Sequence, residues 1–368
     1  MPRHASCATR RRTRQPPGSR RFLPRAIHPN RLRALSDLCQ CLGGRVPTAI
    51  EWEGVLALAN RTLVTPALAE ALDIAGSPDP AIPPDVVGLL QVIAERTRAR
   101  NRLMHAQLAE AVAALNARGI TPILLKGAAL LAHRGPDCAN RLLTDLDLMV
   151  REDENGSAVE ALEGIGYHRL LSMHQDEQGA NLGRERDAGG VDLHFRLKRV
   201  GHGRDAAWLM ASCRPFPIGD GVASMPSPAA LAALFVLHDQ LQEGDYWRGR
   251  IDLRHLVDMA AIARQVDGNA LAALFPPGRA RRALAVQLHS LSTWLGQSMG
   301  MPPGEGGWRA AFQDRRRHWQ LRYPASETSL TLFSWLIDPP FSLYEQRGIA
   351  ARGKEMRRML LERKATKV

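Results

Sequence analysis

Two aspartates separated by one residue are the first feature of this sequence that could carry chemistry. Asp145 and Asp147 lie in the segment Asp-Leu-Asp-Leu-Met-Val, residues 145–150, whose apolar residues predict a buried strand. Because side chains of a strand alternate between its two faces, both carboxylates point to the same side, about 7 Å apart along the chain. Two acids on one face of an apolar strand cost stability unless a cation compensates them. A divalent metal is the usual compensation, because hard cations take carboxylate oxygens.

A third acid, Asp192, lies on a predicted β-hairpin further along the chain. The hairpin covers residues 182–187, a turn containing Gly189 and Gly190, and residues 191–197. A Gly-Gly turn followed by alternating apolar and polar residues is a typical hairpin signal. The alternation places Asp192 on the polar face of its strand, near the end of a small sheet.

Asp145, Asp147 and Asp192 could together form a carboxylate triad that holds one or two Mg²⁺ ions. In two-metal phosphoryl transfer such ions stabilise the attacking and the leaving oxygen together, and Mg²⁺ needs only a few carboxylates besides the substrate phosphates. His194 shares the face of Asp192. We interpret it as a polar neighbour of Asp192 rather than a metal ligand, because three acids already suit a hard cation.

A possible phosphate-holding turn precedes the acids. A short apolar strand, residues 120–125, ends on Lys126 and Gly127, after which a helical pattern begins. Backbone N–H groups at the start of that helix, together with the lysine charge, can hold a phosphate. Arg141, four residues before Asp145, could neutralise the same polyphosphate. Taken singly, each residue has a simpler interpretation, since a lone Asp-x-Asp pair or a lone lysine is usually an ordinary surface feature.

The elements that must position these residues indicate an α+β protein with a small β-sheet. The longest helical pattern, residues 85–118, ends at Gly119 and passes directly into the strand before Lys126, so we expect that helix to pack against the sheet. After residue 204 only helical patterns are recognised, which predicts a C-terminal helical domain.

Asp252 and Asp258 lie on one of these helices and are interpreted as capping or solvent-facing residues. The predicted division of the chain is a disordered basic tail (1–30), an N-terminal helical region (31–118), an α/β core (119–200) and a C-terminal helical domain (201–368).

The net charge of +12 is concentrated at the two ends of the chain. Ten arginines precede the first acid, Asp37, and the stretch from Glu345 carries eight bases against three acids. The middle of the chain is therefore not a general polyanion binder. Residues 1–30 are best interpreted as a solvated tail rather than a transit peptide. A weak contact with nucleic acid through this basic tail is one functional interpretation of the sequence, to be set beside those given below.

Cysteine usage and hydropathy bear on the location of the protein. The five cysteines have no paired C-x-x-C spacing, so reduced thiols in a cytoplasmic protein are expected. The longest uncharged apolar run, residues 229–237, is far too short to cross a bilayer. We therefore expect no integral membrane segment.

In combination, these residues resemble a known family. The order Leu125-Lys126-Gly127-Ala128-Ala129, then Arg141, then residues 145–150, then Val191-Asp192-Leu193-His194, is similar to the uncharacterised nucleotidyltransferase family of the polymerase-beta superfamily. The resemblance extends to the segment that begins at Trp52, to His238 and to residues 250–258, and covers most of residues 48–265.

The resemblance implies a small mixed sheet with two metal-binding acids on one strand and a third on a neighbour. It also implies transfer of a nucleoside monophosphate from an NTP to a hydroxyl or similar acceptor, with release of pyrophosphate. Asp145, Asp147 and Asp192 would then bind Mg²⁺, Asp192 would help to deprotonate the acceptor, and the triphosphate would contact three further residues, Lys126, Gly127 and Arg141.

One departure from the superfamily pattern leaves a second function open. The usual Gly-Ser before the acids is here Lys126-Gly127-Ala128, without a hydroxyl, so phosphate contacts would depend on backbone amides and Lys126. The alternative function is a catalytically inactive nucleotide-binding or antitoxin-like protein with the same fold.

Overall fold

The computed structural model describes residues 31–170, 179–197, 209–300 and 307–340 without interruption. Near the C-terminus it describes residues 350, 353–354, 356–357, 360 and 366–368. The predicted disorder of residues 1–30 and the nucleic-acid contact assigned to them lie outside the described residues.

The N-terminal region is helical, as predicted. Its four helices are α1 (Arg31–Leu42), α2 (Trp52–Arg61), α3 (Thr65–Ala71) and α4 (Pro84–Asn116). Pro84 occupies the first turn of α4, where its missing N–H leaves no helical hydrogen bond unmade. The buried residues of α4 recur at helical spacing and contact the sheet, which confirms the predicted packing of this helix.

One mixed sheet of seven strands forms the centre of the described structure. Its spatial order is β3-β4-β5-β2-β1-β7-β6, and helices α5 (Lys126–Arg134) and α6 (Asn155–Glu163) follow β1 and β2. The strands are β1 (Ile123–Leu124), β2 (Asp145–Met149), β3 (His168–Arg169), β4 (Gly179–Gly183), β5 (Gly190–His194), β6 (Cys213–Ile218) and β7 (Gly221–Pro226). The predicted α+β class and the predicted mixed sheet are both confirmed.

The two strands that carry the acids are parallel neighbours. β2 pairs with β5 so that Asp147 stands opposite Asp192 and Met149 opposite His194. The antiparallel pairing of β4 with β5 confirms the predicted hairpin, but its first strand, predicted over residues 182–187, lies at Gly179–Gly183. Residues 184–189 form the connection between the two strands. Leu146 and Leu148, which alternate with the acids, are fully buried. Burial of this apolar face fixes the register, because a slip by one residue would move the leucines to the acidic face.

The expectation of helices only after residue 204 was wrong. β6 and β7 form an antiparallel hairpin that lies at the edge of the sheet beyond β1. The prolines of β6, Pro215 and Pro217, oppose a strand assignment in sequence but are tolerated in an edge strand, which has one unpaired side. The sequence did contain a signal for the turn, the glycine at position 219. In the structure Gly219 lies between the two strands and adopts a positive φ of 56°, which glycine tolerates. The predicted domain boundaries themselves stay predictions.

Helices form the rest of the described chain. They are α7 (Pro228–Val236), a π-helix (Leu237–Gln242), α8 (Asp245–Arg248), α9 (Leu253–Ile262), α10 (Gly268–Ala273), α11 (Arg279–Leu295), α12 (Gly307–Arg322) and α13 (Glu327–Ile337). In the π-helix, the N–H of Glu243 donates to the carbonyl of His238, five residues earlier, at 2.8 Å. Val368 exchanges two backbone hydrogen bonds with Ile251. Among the described helices, none is both long and apolar enough to cross a membrane.

The two aspartates of α9 differ from each other. Asp252 is the N-cap residue, and its carboxylate accepts a hydrogen bond from the backbone N–H of His255, as the capping interpretation predicted. Asp258 is only 5% exposed, so its interpretation as a capping or solvent-facing residue was wrong. Its position within the buried stripe of α9, three residues after His255, is the sequence signal that could have identified it.

Candidate active site

The three predicted acids lie on one face of the sheet at unequal depths. Asp147 is buried, Asp192 on the adjacent strand is partly exposed, and Asp145 at the start of β2 is exposed. Asp145 accepts a hydrogen bond from the hydroxyl of Thr144 at 3.0 Å. The site is therefore closed at Asp147 and open to solvent at its other two carboxylates.

Two cationic side chains meet the carboxylate of Asp147. Its Oδ1 lies 3.0 Å from Lys126 Nζ and 3.2 Å from His194 Nε2. The same His194 nitrogen lies 3.3 Å from Asp192 Oδ2, so the imidazole bridges the two strands. His194 therefore lies beside Asp192, as expected, but its contact with Asp147 was not predicted. Its interpretation as a polar neighbour rather than a metal ligand stays a prediction.

The pKa values of these groups follow from their contacts. Burial would lower the pKa of His194, but hydrogen bonds to Asp147 and Asp192 outweigh it and raise that pKa to about 9. Burial alone would raise the pKa of Asp147, yet Lys126 and His194 hold it well below its usual range. Partial desolvation by the surrounding residues and the neighbouring Asp147 carboxylate raise the pKa of Asp145. At neutral pH the cluster therefore contains a protonated imidazole beside an ionised Asp147.

The turn at Lys126 joins β1 to α5 beside these acids. Lys126 adopts a left-handed backbone conformation, with φ of 39°, which is uncommon for a residue with a side chain. Strain of this kind persists where the surroundings fix it and is frequent at functional sites. The backbone N–H of Leu125 donates to the carbonyl of Asp147, which ties the turn to β2.

Gly127 and Arg141 are packed together at the start of α5. A Cβ on Gly127 would lie 2.5 Å from Arg141 Nη1, so only glycine leaves room for this guanidinium. Arg141 Nε lies 2.9 Å from both carboxylate oxygens of Asp258. Within the described part of the chain, no residue accepts a hydrogen bond from its two terminal nitrogens. A guanidinium nine-tenths buried thus keeps unpartnered donors beside the Lys126 turn.

Helix α4 fixes the segments that lead into both acidic strands. Asn101 donates to the backbone carbonyls of Cys138 and Arg141, each at 2.8 Å. Further along the same helix, Gln107 donates to the carbonyl of Gly189, immediately before β5. The register of the acids therefore depends on helix α4 as well as on the sheet.

The structure brings together part of the predicted set of site residues. The ligand atoms of Asp147, Asp192 and His194 lie within 4.8 Å of one another, as the ligands of one ion would. Asp145 does not belong to this compact group, although its charge affects Lys126. Sequence reasoning missed Asp258 as the partner of Arg141, because no local pattern links residues so distant in the chain.

The fold and the site define a class of protein, an α+β protein whose mixed sheet carries paired carboxylates beside a lysine-bearing turn. A comparison with protein families matches residues 48–296, more than half of the chain, to the family described as uncharacterised nucleotidyltransferase. The chain belongs to this family, as the resemblance indicated, and general nucleotidyl transfer is the activity that the family supports.

The comparison with solved structures returns the antibiotic-resistance factor ANT(2'')-Ia in two forms. Its solution structure is 16% identical, with a TM-score of 0.35, over 48% of this chain and 90% of that one. Its crystal structure in complex with adenylyl-2''-tobramycin is 15% identical, with a TM-score of 0.35, over 46% of this chain and 94% of that one. Similarity at this level does not allow site residues to be matched. A comparison with curated proteins finds no match.

Proposed function

We propose that this protein is a Mg²⁺-dependent nucleotidyltransferase that moves a nucleoside monophosphate from an NTP to an acceptor and releases pyrophosphate. The observation that carries the proposal is the register of β2 and β5, which sets Asp147 directly opposite Asp192 beside the Lys126 turn. The acceptor is a small molecule, a peptide or a protein. A cytoplasmic location belongs to the same proposal, supported by the free thiols of the four described cysteines.

The donor set fits a hard divalent cation. Asp145, Asp147 and Asp192 offer carboxylate oxygens on one face of the sheet, and two of the three are open to solvent. Bound there, one or two Mg²⁺ ions would neutralise phosphate charge and stabilise the leaving pyrophosphate. His194 would retain its place beside Asp192 and compensate the excess of carboxylate charge.

In this proposal the triphosphate is bound by backbone N–H groups at the start of α5 and by the side chains of Lys126 and Arg141. The first N–H groups of α5, at Lys126 and Gly127, point toward the region in front of the helix and favour negative charge there. Lys126 supplies a point charge, and the free nitrogens of Arg141 supply a planar pair of donors. Asp258 holds Nε of Arg141, which directs those nitrogens toward the turn. These contacts position the α-phosphate for in-line attack by the acceptor.

The test is transfer from labelled NTPs to candidate acceptors by the purified chain. We expect Mg²⁺-dependent release of pyrophosphate, which the Asp145→Ala/Asp147→Ala double variant loses. Asp153→Ala is the matched control, because it removes a solvent-exposed acid that follows β2 and pairs only with Arg151 among the described residues. Transfer that survives the double substitution would contradict the proposal.

One observation favours the alternative, a catalytically inactive nucleotide-binding or antitoxin-like protein. Asp147 is already compensated by two cationic side chains, so this carboxylate does not require a metal for stability. Calorimetry separates the two functions. Binding of Mg-NTP without turnover, across all acceptors and with water, would favour the inactive protein.

A further inference from the structure

A second polar cluster lies in the C-terminal helical region, and one of its members borders the candidate active site. His238 lies in the π-helix, and its Nδ1 is 3.1 Å from Asp239 Oδ1. The same oxygen is 2.7 Å from Nδ1 of His255, and Asp239 is fully buried. Lys367 adds a positive charge that lowers the pKa of Asp239. The carboxylate thus holds two imidazoles in fixed orientations.

These three residues also satisfy the distance criterion for a metal site, since their ligand atoms lie within 4.8 Å of one another. The hydrogen-bond distances argue against that function. Both imidazole nitrogens are within hydrogen-bonding distance of one carboxylate oxygen, and each imidazole can donate its Nδ1 proton there. The buried ammonium group of Lys367 near Asp239 would repel a metal ion. The cluster is complete as a hydrogen-bonded network.

His238 faces the candidate active site across a small cavity. The cavity has a volume of about 20 Å³, and its lining combines polar side chains with leucines that adjoin β1 and β5 or lie in α7 and the π-helix. The polar lining residues are Lys126, His194, Arg196, His238 and Gln242. A space of this size holds about one water molecule, and therefore one hydroxyl group. Because Nδ1 of His238 is engaged by Asp239, Nε2 on the other side of the ring points away from the buried network.

The charges around His238 keep its imidazole neutral. Burial and the charge of Lys126 lower the pKa of His238 to about 4, although Asp239 opposes this shift. The other titratable groups nearby are His255, His194 and Arg196, of which the last two line the same cavity. Glu243 also lies close, with its Oε1 3.9 Å from Nε2 of His238. A phosphate bound at Lys126 would offset the lysine charge and shift the pKa of His238 back toward its ordinary value. The imidazole would become a stronger base when the nucleotide is in place.

We propose that His238 is the general base of the reaction and that Asp239 and His255 position it. This inference rests on the proposed function and replaces Asp192 as the group that takes the proton of the acceptor. The acceptor oxygen attacks the α-phosphorus, a new O–P bond forms, and the bond from the α-phosphorus to the bridging oxygen breaks. Pyrophosphate leaves with that electron pair, and the acceptor proton moves to Nε2. Asp239 stabilises the imidazolium through Nδ1, as a carboxylate does for a catalytic histidine.

The test uses the full chain with water as the acceptor, so that no acceptor needs to be known. Release of nucleoside monophosphate and pyrophosphate from each of the four Mg-NTPs is measured for the wild type, His238→Ala and Asp239→Asn. We expect His238→Ala to lower kcat about 10²–10⁴-fold, with a KM for Mg-NTP within about threefold of the wild type. Added imidazole should restore at least about a tenth of the lost rate, because a small base can enter the space left by the side chain.

His289→Ala is the matched control, because His289 belongs to the same helical region but is exposed and pairs with Asp314 at the surface. It should keep the wild-type kcat. If His238→Ala does not fold, His238→Gln takes its place, since glutamine retains a polar side chain but cannot accept the proton.

The outcomes separate this inference from the proposed function. A wild-type chain that releases no pyrophosphate from any of the four Mg-NTPs, either with water or with the candidate acceptors, contradicts the nucleotidyltransferase proposal itself. An active wild type with an unchanged kcat in both His238 variants contradicts only the role of His238. A loss of rate that imidazole does not restore, in His238→Ala that still binds Mg-NTP, also overturns that role and identifies His238 as a structural residue.

Discussion

The molecule contains two clusters of similar composition, and their surroundings differ. Each combines three aspartates with one lysine and one or two histidines. The Asp147 cluster comprises Asp145, Asp147, Asp192, Lys126 and His194, and the Asp239 cluster comprises Asp239, Asp245, Asp252, Lys367, His238 and His255. The Asp147 cluster lies on one face of the adjacent strands β2 and β5, with Asp145 exposed and Asp192 partly exposed. In the second, the three aspartates, Lys367 and His255 are all at most 7% exposed.

This difference shows how burial determines what a set of charges can do. Lys367 bonds to Asp245 and lies 3.9 Å from Asp252, so the chain itself supplies the cation that its buried acids need. A buried ion pair left without one partner is strongly destabilised. At the Asp147 cluster, carboxylate oxygens of Asp145 and Asp192 remain accessible to a cation from solution. We therefore expect substitutions in the Asp147 cluster to affect activity. In the Asp239 cluster, we expect substitutions of the buried ion-paired residues Asp245, Asp252 and Lys367 to affect stability.

The largest expected effect is that of Asp147→Asn on transfer. Loss of a central metal-binding carboxylate should lower kcat/KM about 10⁴-fold, which corresponds to several kcal/mol of transition-state stabilisation. Pyrophosphate release at saturating Mg²⁺ measures it, with Asp153→Asn as the control. If the kcat/KM of Asp147→Asn stays within about tenfold of the wild-type value, the Asp147 cluster does not have the catalytic function that distinguishes it from the Asp239 cluster.

Single substitutions of Lys367 and of Lys126 should have different effects, the first on the stability of the fold and the second on the binding of Mg-NTP. Lys367→Met leaves Asp245 buried without its partner and should lower the free energy of unfolding by about 3–5 kcal/mol. Lys354→Met, at an exposed position, should leave it unchanged within about 0.5 kcal/mol. Lys126→Met should instead weaken Mg-NTP binding, with a smaller change in stability than Lys367→Met. Urea denaturation and calorimetry provide the two measurements, and equal stability losses for Lys126→Met and Lys367→Met would contradict the comparison.

The pKa values of His194 and His238 should be shifted in opposite directions from that of an ordinary histidine. His194 has a raised pKa of about 9, so its stabilising contribution is complete below pH 6.5 and is lost as the pH rises through about 9. In metal-free buffer, His194→Gln should therefore cost about 2–3 kcal/mol of unfolding free energy near pH 6 and much less near pH 10. His238 has a lowered pKa of about 4, so its contribution falls as the pH decreases from about 6.5 to 4. Imidazole NMR signals that titrate together near pH 6.5 would contradict both assignments.

The smallest expected effect concerns Asp258, which connects the helical region to the Asp147 cluster through Arg141. Asp258→Asn removes the carboxylate that fixes Arg141 Nε, and the guanidinium should lose its orientation toward the Lys126 turn. We expect the Kd for Mg-NTP to rise about tenfold, or about 1.4 kcal/mol, with kcat for bound nucleotide less affected. Asp267→Asn is the control, because asparagine also caps a helix. An unchanged Kd would mean that Arg141 does not contact the nucleotide.

Local patterns predicted the strands that carry the acids, and the reason is physical. Alternation around Asp145 and Asp147, and a glycine-rich turn before Asp192, depend only on residues a few positions apart. The edge hairpin of β6 and β7 was missed because proline tolerance depends on a strand's place in the sheet, which sequence does not reveal.

Charge partners could not be predicted for a different reason. Arg141 and Asp258 are 117 residues apart, and Lys367 and Asp245 are 122 apart. Which acid meets which base depends on how complete helices pack. A single sequence therefore identified the acids of the Asp147 cluster but not the partners that set their charge. The resemblance included His238 and residues 250–258, but no local pattern indicated that these residues form the Asp239 cluster.

The π-helix has a consequence for changes in chain length. Its hydrogen bond from Glu243 to His238 spans five residues, so the turn contains one residue more than an α-helical turn. Deletion of one residue between Asp239 and Gln242 would allow an ordinary α-helix to form. Because the π-turn is what absorbs the additional residue, the helix on the two sides of the deletion would keep about the same orientation, and His238 and Asp239 would keep theirs relative to each other. A one-residue insertion has no further π-turn to absorb it and would rotate one side of the helix by about 100° relative to the other. Insertions in this short segment should therefore be far more damaging than deletions or conservative substitutions in it.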